Sequence, residues 1–76
     1  MSFLLPQTRR ATVQAARPVS IHGDRYVDVQ LAVDEAAGTP LTGRVSASEC
    51  PDGLAPGDRV EVRVVMGAIV GIVRRD

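Results

Sequence analysis

Cysteine and aromatic residues are rare in this chain, and lysine is absent. It has one cysteine, one tyrosine and one phenylalanine, with no tryptophan and no lysine. A single cysteine excludes both an internal disulfide and a cysteine-rich zinc site, and we expect an inert thiol. The scarcity of aromatic residues argues against single-stranded nucleic acid as a ligand, because each stacked base normally uses its own aromatic platform, worth about 1 to 3 kcal/mol.

The charges cancel overall but are unevenly placed. Nine arginines balance nine acidic residues, and a net charge of zero gives no general attraction to a phosphate backbone. The basic residues concentrate toward the two ends of the chain, and the acidic residues lie mostly in the middle.

Long hydrophobic runs are also missing. No stretch reaches the roughly 18 apolar residues of a membrane span. The apolar start, Met1–Pro6, is shorter than the hydrophobic region of a signal peptide, which takes about 7 to 15 residues. We therefore expect a cytoplasmic protein with no membrane partner.

The length of 76 residues predicts a single domain. We place a tail at residues 1–8 and the domain at residues 9–76. Folding at this size buries only about 60% of the surface that the unfolded chain exposes, so the core is small and a partner surface would stabilise it. A composition of 45% hydrophobic and 24% charged residues is typical of a globular chain.

The clearest local pattern lies in the last third of the chain. Pro56 and Gly57 suit the second and third positions of a tight turn, because proline presets φ and glycine allows a positive φ. After this turn Val60, Val62 and Val64 alternate with charged residues, which predicts a half-buried strand. A short second turn and a last strand, Ala68 to Val73, follow.

Two strands are predicted in the middle of the chain. Tyr26–Val33 alternates strictly, and Pro40–Ser48 alternates with Gly43 on the inward side. A glycine on an inward position indicates a bend or a close backbone approach. Asp34 to Thr39 is the expected hairpin loop between them, and Leu54 in the later connector is expected to plug one end of the core.

The segment Arg9–Ile21 allows two interpretations. Thr8 as an N-cap and Pro18 as a stop would bound a short helix. The apolar residues in between do not form a helical stripe, however, and the β-branched residues favour a strand. We predict a long strand, with an edge, bend or bulge near Pro18 because proline cannot donate to a sheet ladder.

The last strand is apolar on both of its faces. Strict alternation would place Ile69 and Val73 on one side and Val70 and Ile72 on the other. Both faces of such a strand must then pack against other residues. A second copy of the chain would supply the second cover, and the same four residues are then the candidate oligomer contact: Ile69, Val70, Ile72 and Val73. The alternative cover is the tail, through Phe3, Leu4 and Leu5.

Five strands with frequent turns in so short a chain predict an all-β fold, a five-stranded OB-like small barrel with a short apolar N-terminal tail. The order of a long strand, a hairpin, a third strand, a connector and a hairpin opened by Pro-Gly-Asp resembles the OB-fold. Residues 41–60 resemble the OB domain of zinc-ribbon proteins associated with acyl-CoA enzymes. They are also similar to TOBE and molybdate-binding Mop modules, whose Gly-Leu-x-x-Gly-Asp pattern occurs at Gly53–Asp58.

Each of these resemblances implies a fold but assigns no functional residues to this chain. The zinc-ribbon cysteines, the Ser-Ala-Arg-Asn opening of the Mop modules and their lysine are all absent. A third likeness, of Leu54–Val73 to AbrB-type DNA-binding regulators, does not extend to the strand-rich segment before it.

The OB-fold resemblance implies a candidate binding face. OB-folds commonly bind through their second and third strands and the flanking loops. The matching residues here are His22, Arg25, Tyr26, Gln30, Thr42 and Arg44.

No set of residues predicts catalysis. His22 and Cys50 would form a nucleophile and base only if two distant loops met and a third group oriented them. Asp24, Asp28, Asp34 and Glu35 fall on a solvated face or in turns, so we predict no metal, no cofactor and no enzyme activity. We expect a non-enzymatic binding module that binds protein or self-associates; the alternatives are a single-stranded nucleic-acid-binding OB module and TOBE-like binding of a small ligand.

Overall fold

The structure, a computed structural model, describes residues 7–35 and 40–75 of the chain. These residues form five β-strands in one antiparallel sheet, so the all-β prediction is confirmed. The elements are β1 (Gln7–Ile21), β2 (Asp24–Val33), β3 (Pro40–Ser46), a 3₁₀ turn (Ala47–Glu49), β4 (Arg59–Val65) and β5 (Ala68–Arg74). The predicted cover by Phe3, Leu4 and Leu5 lies outside the described residues, and Gln7 and Thr8 belong to β1 rather than to a tail.

The strands follow the order β3-β2-β1-β4-β5, with β3 and β5 at the two edges. Because every paired neighbour is antiparallel, β3 and β5 run in the same direction. The sheet curls until these edges meet at Gly43, where a Cβ would lie 3.1 Å from Cδ1 of Ile69. No ladder joins β3 to β5 in the described part of the chain, so the architecture is compatible with a small β-barrel that is not closed.

The central strand β1 carries the curvature. Its first half pairs with β4 through Thr12, and from Ala11 to Ile21 it pairs with β2. The register shifts between Val13 and Ala15, so Gln14 is an extra residue that bends the strand and reverses its alternation. The helix alternative for this segment is therefore wrong. Pro18 lies in the half that pairs with β2 alone, which is an edge position.

The core lies on the inner face of the curled sheet. Its buried hydrophobic residues come from all five strands: Ala11, Val13, Val29, Leu31, Val33, Val45, Val60, Val62, Ile69 and Ile72. Leu54 of the connector packs against this cluster and is partly buried, as expected of a residue that plugs one end.

A second bulge corrects the prediction for β5. Arg63 pairs with Gly71 and Val64 with Ile69, so Val70 is the extra residue. The bulge brings Ile69 and Ile72, which lie three residues apart, to the same inner face, where they are 8% and 3% exposed. The predicted division of Ile69 with Val73 against Val70 with Ile72 is wrong, and the two isoleucines of the candidate oligomer contact belong to the core.

Both tight hairpins use two residues with positive φ, as a type I′ turn requires. His22 and Gly23 join β1 to β2 with φ of 51° and 84°, and Met66 and Gly67 join β4 to β5 with φ of 52° and 82°. The left-handed conformation costs a residue with a Cβ roughly 1 to 2 kcal/mol. Methionine lacks the short polar side chain that favours asparagine and aspartate at such positions, so Met66 is a locally unfavourable choice.

Arg75 connects the end of β5 to the rest of the sheet. Its Nη2 donates to Oδ2 of Asp34 at 2.6 Å and to the carbonyl oxygen of Ala11 at 3.4 Å. Its backbone amide donates to the carbonyl of Arg59 at 3.0 Å. The contact therefore links the C-terminal end of β5 to β1, to β4 and to the residue that follows β2.

The close approach at Gly43 predicts a packing cost for a larger residue. Gly43→Val should lower the free energy of unfolding by about 1 to 3 kcal/mol, because its side chain meets Ile69 in a filled core. Urea unfolding measures the change, with Thr42→Val on the exposed face as the matched control. Equal stability of the two variants would contradict the contact between β3 and β5.

Candidate binding surfaces

The structure brings together four of the six residues of the predicted binding face. Thr42 pairs with Gln30 and Arg44 with Asp28, so these side chains and Tyr26 share the outer face of β2 and β3. His22 lies apart in the first hairpin turn. Arg25 precedes Tyr26 on β2, so it leaves the strand on the opposite face, and the two residues meet only at a groove at the end of the sheet.

The arginine of this face is already paired. Nε of Arg44 donates to Oδ1 of Asp28 at 2.7 Å, and Nη2 donates to Oδ2 at 3.0 Å. This bidentate hydrogen bond from Arg44 holds the pKa of the Asp28 carboxyl below its ordinary value, and it raises the pKa of the Arg44 guanidinium. Arg17 of β1 pairs with Asp28 on the other side of β2, so one positive charge remains beside the ion pair.

Other polar groups of the same face also bond to each other. Nε2 of Gln30 donates to Oε1 of Gln14, the bulge residue of β1, at 3.0 Å. The hydroxyls of Ser46 and Ser48 lie 2.9 Å apart. A ligand at this face would have to compete with these internal bonds as well as with the pair of Arg44 and Asp28.

The ion pair predicts a titration that NMR can follow. The carboxyl resonance of Asp28 should titrate below the ordinary aspartate range, and Arg44→Ala should move that pKa upward. A lowered pKa in the folded state means that the pair contributes stability above the unfolded pKa and loses it as the pH falls through the folded value. An Asp28 pKa that does not change on Arg44→Ala would contradict the pairing.

The exposed large hydrophobic residues in the described part of the chain all belong to the β4–β5 hairpin. Met66, Val70 and Val73 are 71%, 39% and 56% exposed. We call these three residues the hairpin surface. Met66 was missed by the sequence reasoning, although an apolar residue followed by glycine in a two-residue turn was a visible signal.

Charges of both signs border the hairpin surface. Glu61 pairs with Val73 and Arg63 pairs with Gly71, so both charged side chains share the outer face of β4 and β5. Across the sheet Arg10 of β1 pairs with Glu61. No ion pair forms among these three residues within the described ranges.

A groove of about 460 Å³ lies on this face, at the end of the strands away from the hairpin turn. We call it the β5 groove. It is lined by Thr8, Ser48, Glu49, Cys50, Pro51, Glu61, Arg63, Gly71, Ile72, Val73 and Arg74. The 3₁₀ turn lies close to Gly71, where a Cβ would make an ordinary van der Waals contact of 3.7 Å with Oε1 of Glu49.

A second groove, also of about 460 Å³, runs beside the half of β1 that β4 leaves unpaired. Ala16, Pro18, Val19 and Ser20 form the β1 wall, and the connector from Cys50 to Leu54 forms the other. Arg25 and Tyr26 of the predicted binding face reach this groove as well.

The residues considered for chemistry do not assemble into a reactive group. Cys50 is half-buried and lines both grooves, whereas His22 lines neither. Burial raises the pKa of the Cys50 thiol, with a smaller contribution in the same direction from Asp52 and an opposing one from Arg74. No group of three histidine, cysteine, aspartate or glutamate side chains is placed to hold a metal ion among the described residues.

Comparison with protein-family models, with curated proteins and with solved structures finds no match for this chain. The resemblances to TOBE, Mop, acyl-CoA-associated and AbrB-type proteins are therefore not confirmed. In the described part of the chain, no helix has the length and apolar character needed to cross a membrane.

Proposed function

We propose that this chain is a non-enzymatic binding module on an OB-like barrel, and that it binds protein, in the first place a second copy of itself, through the hairpin surface. The observation that carries the proposal is the concentration of exposed large hydrophobic residues on one hairpin. Scattered exposed valines need no explanation, but three exposed apolar residues on one hairpin, bordered by charged residues, favour an interaction site.

The strand arrangement supports the OB-like part of the proposal. A long central strand pairs with both halves of the sheet, and the edge strands β3 and β5 approach without pairing. A five-stranded, partly open barrel of this kind is the architecture of the OB-fold, which serves many binding functions.

Energetics favour association through this surface. Fully burying a valine side chain contributes about 1.5 to 3 kcal/mol, and Val70 and Val73 both remain partly in solvent in the single chain. A small barrel with a limited core gains proportionally more from such burial than a large domain does.

Single-stranded nucleic acid is the alternative ligand, and one observation favours it. Arg59 and Arg63 flank Glu61 along β4, and Arg10 lies beside it on β1, so three arginines surround one acid on the same outer face. Against this, Arg44 is paired with Asp28, and the predicted face offers Tyr26 as its one aromatic residue.

Binding of a small ligand is a further alternative. Each groove has a volume within the range of about 300 to 1,000 Å³ that is usual for ligand sites. The β5 groove is lined by charged residues of both signs, Glu49, Glu61, Arg63 and Arg74, which suits a polar ligand.

Sedimentation equilibrium tests the proposal directly. The native chain should self-associate, and Val73→Asp should raise the dissociation constant by at least about tenfold, because a charge replaces an apolar contact. Val73 is 56% exposed, so the change spares the core. Thr42→Asp, on the exposed face of β3, is the matched control and should leave association unchanged.

The same samples separate protein binding from nucleic-acid binding. A labelled single-stranded oligonucleotide should bind weakly at physiological salt, and any binding should fall steeply as salt rises. A native chain that stays monomeric at high concentration and binds the oligonucleotide tightly would overturn the proposal in favour of the alternative.

A further inference from the structure

The second half of β1 has one open edge. β4 pairs with β1 as far as Thr12, and Val13 then bonds to the turn before β4, where its N–H donates to the carbonyl oxygen of Asp58 at 2.8 Å. Beyond the bulge, residues 15–21 of β1 pair with β2 alone in the part of the chain that the structure describes. An open edge of this kind is a template for pairing with another chain.

The first hairpin determines which backbone groups the open edge presents. A two-residue turn joins Ile21 to Asp24, and the carbonyl of the residue before such a turn points across it. Because backbone groups alternate along an antiparallel pair, those of Ser20, Pro18 and Ala16 point away from β2. Proline lacks an N–H, so the edge offers donors at Ala16 and Ser20 and acceptors at all three residues. Such a row is complementary to an extended polypeptide backbone.

The groove beside this half of β1, which we call the β1 groove, has partly apolar walls. Ala16, Val27, Cys50 and Leu54 line it, and all four are partly buried against the core cluster. Side chains of an added strand alternate, so every second one would face these residues. An apolar side chain at that position would extend the core at this end of the sheet.

The charges of the β1 groove favour an acidic ligand. Arg25 lines the groove and forms no ion pair with any described residue. The acidic residue of the groove, Asp52, lies on the opposite wall, and its carbonyl oxygen accepts a hydrogen bond of 2.9 Å from Nη2 of Arg74. A carboxylate on the ligand would therefore give Arg25 a partner of opposite charge.

We infer that the β1 groove binds an extended peptide segment of another protein, which adds a strand antiparallel to the open edge of β1. The segment places an acidic side chain at Arg25 and, two residues later, an apolar side chain against Leu54. A second copy of this edge is a poorer fit, because a two-fold axis through its centre would set Pro18 against Pro18 and lose the central hydrogen bonds. The site lies apart from the hairpin surface and does not depend on self-association.

A labelled peptide of sequence Thr-Glu-Thr-Val-Thr tests the edge. It should bind saturably, with a Kd below about 1 mM. Hydrogen exchange of the Ala16 and Ser20 amides should slow at least about tenfold at saturation, whereas that of Gly67, in the other hairpin, should not change. Methylation of one alternate set of peptide amides should abolish binding and methylation of the other set should not, because only one edge of the added strand faces β1.

Three variants test the contacts of the peptide. Arg25→Glu should weaken binding at least about tenfold, and a peptide with lysine in place of glutamate should restore it. Arg59→Glu is the matched control, since it makes the same charge change at an exposed residue outside both grooves and should leave the affinity unchanged. Pro18→Ala supplies an additional edge donor and should strengthen binding severalfold.

The outcomes separate this site from the hairpin surface. Unchanged exchange of the Ala16 and Ser20 amides at millimolar peptide would overturn the inference. Protection of the same amides in the peptide-free chain, appearing only as its concentration rises, would assign the edge to a second copy and would also overturn it. A chain that stays monomeric yet binds the peptide at these amides would support this site and contradict self-association.

Discussion

The described fold depends on one constraint, which is that a single curled sheet has to bury one face and expose the other. A strand with uninterrupted alternation contributes every second residue to the core. β1 is too long to curl without a break, and β5 has its isoleucines three residues apart, so neither satisfies the constraint by alternation alone. Each of the two strands has one extra residue that forms a bulge, Gln14 in β1 and Val70 in β5. The bulge shifts the alternation by one residue, so that apolar side chains before and after it both face the core.

The bulge in β5 also determines which side chains of the strand are exposed. It moves Ile69 and Ile72 into the core, with Ile69 against Gly43 of the opposite edge, and it leaves Val70 and Val73 outside. The last hairpin therefore completes the core and presents an apolar outer surface at the same time. On the outer face of β2 and β3, Arg44 is paired with Asp28, and none of the exposed large hydrophobic residues of the described ranges lies there. This contrast underlies our preference for a protein partner on the hairpin.

Most of the architecture could be predicted from local patterns. Alternation located the strands, Pro56 and Gly57 form the expected turn with a φ of 95° at the glycine, and Gly43 marks the close approach that its inward position indicated. The bulges could not be predicted, because they arise from pairing with a particular neighbour rather than from the strand's own residues. The pairing of Arg44 with Asp28 was missed for the same reason, since it depends on the register between β2 and β3. The identity of any partner is not encoded in a local pattern at all.

Methyl NMR over a range of protein concentrations tests the central claim most directly, because it distinguishes the valines left outside by the bulge from the isoleucines placed inside. We predict that the methyl resonances of Val70 and Val73 shift with concentration, whereas those of Ile69, Ile72 and Thr42 do not. Shifts in the isoleucines with static valines would show that β5 presents the other set of side chains to a partner, and would contradict both the bulge and the surface that follows from it.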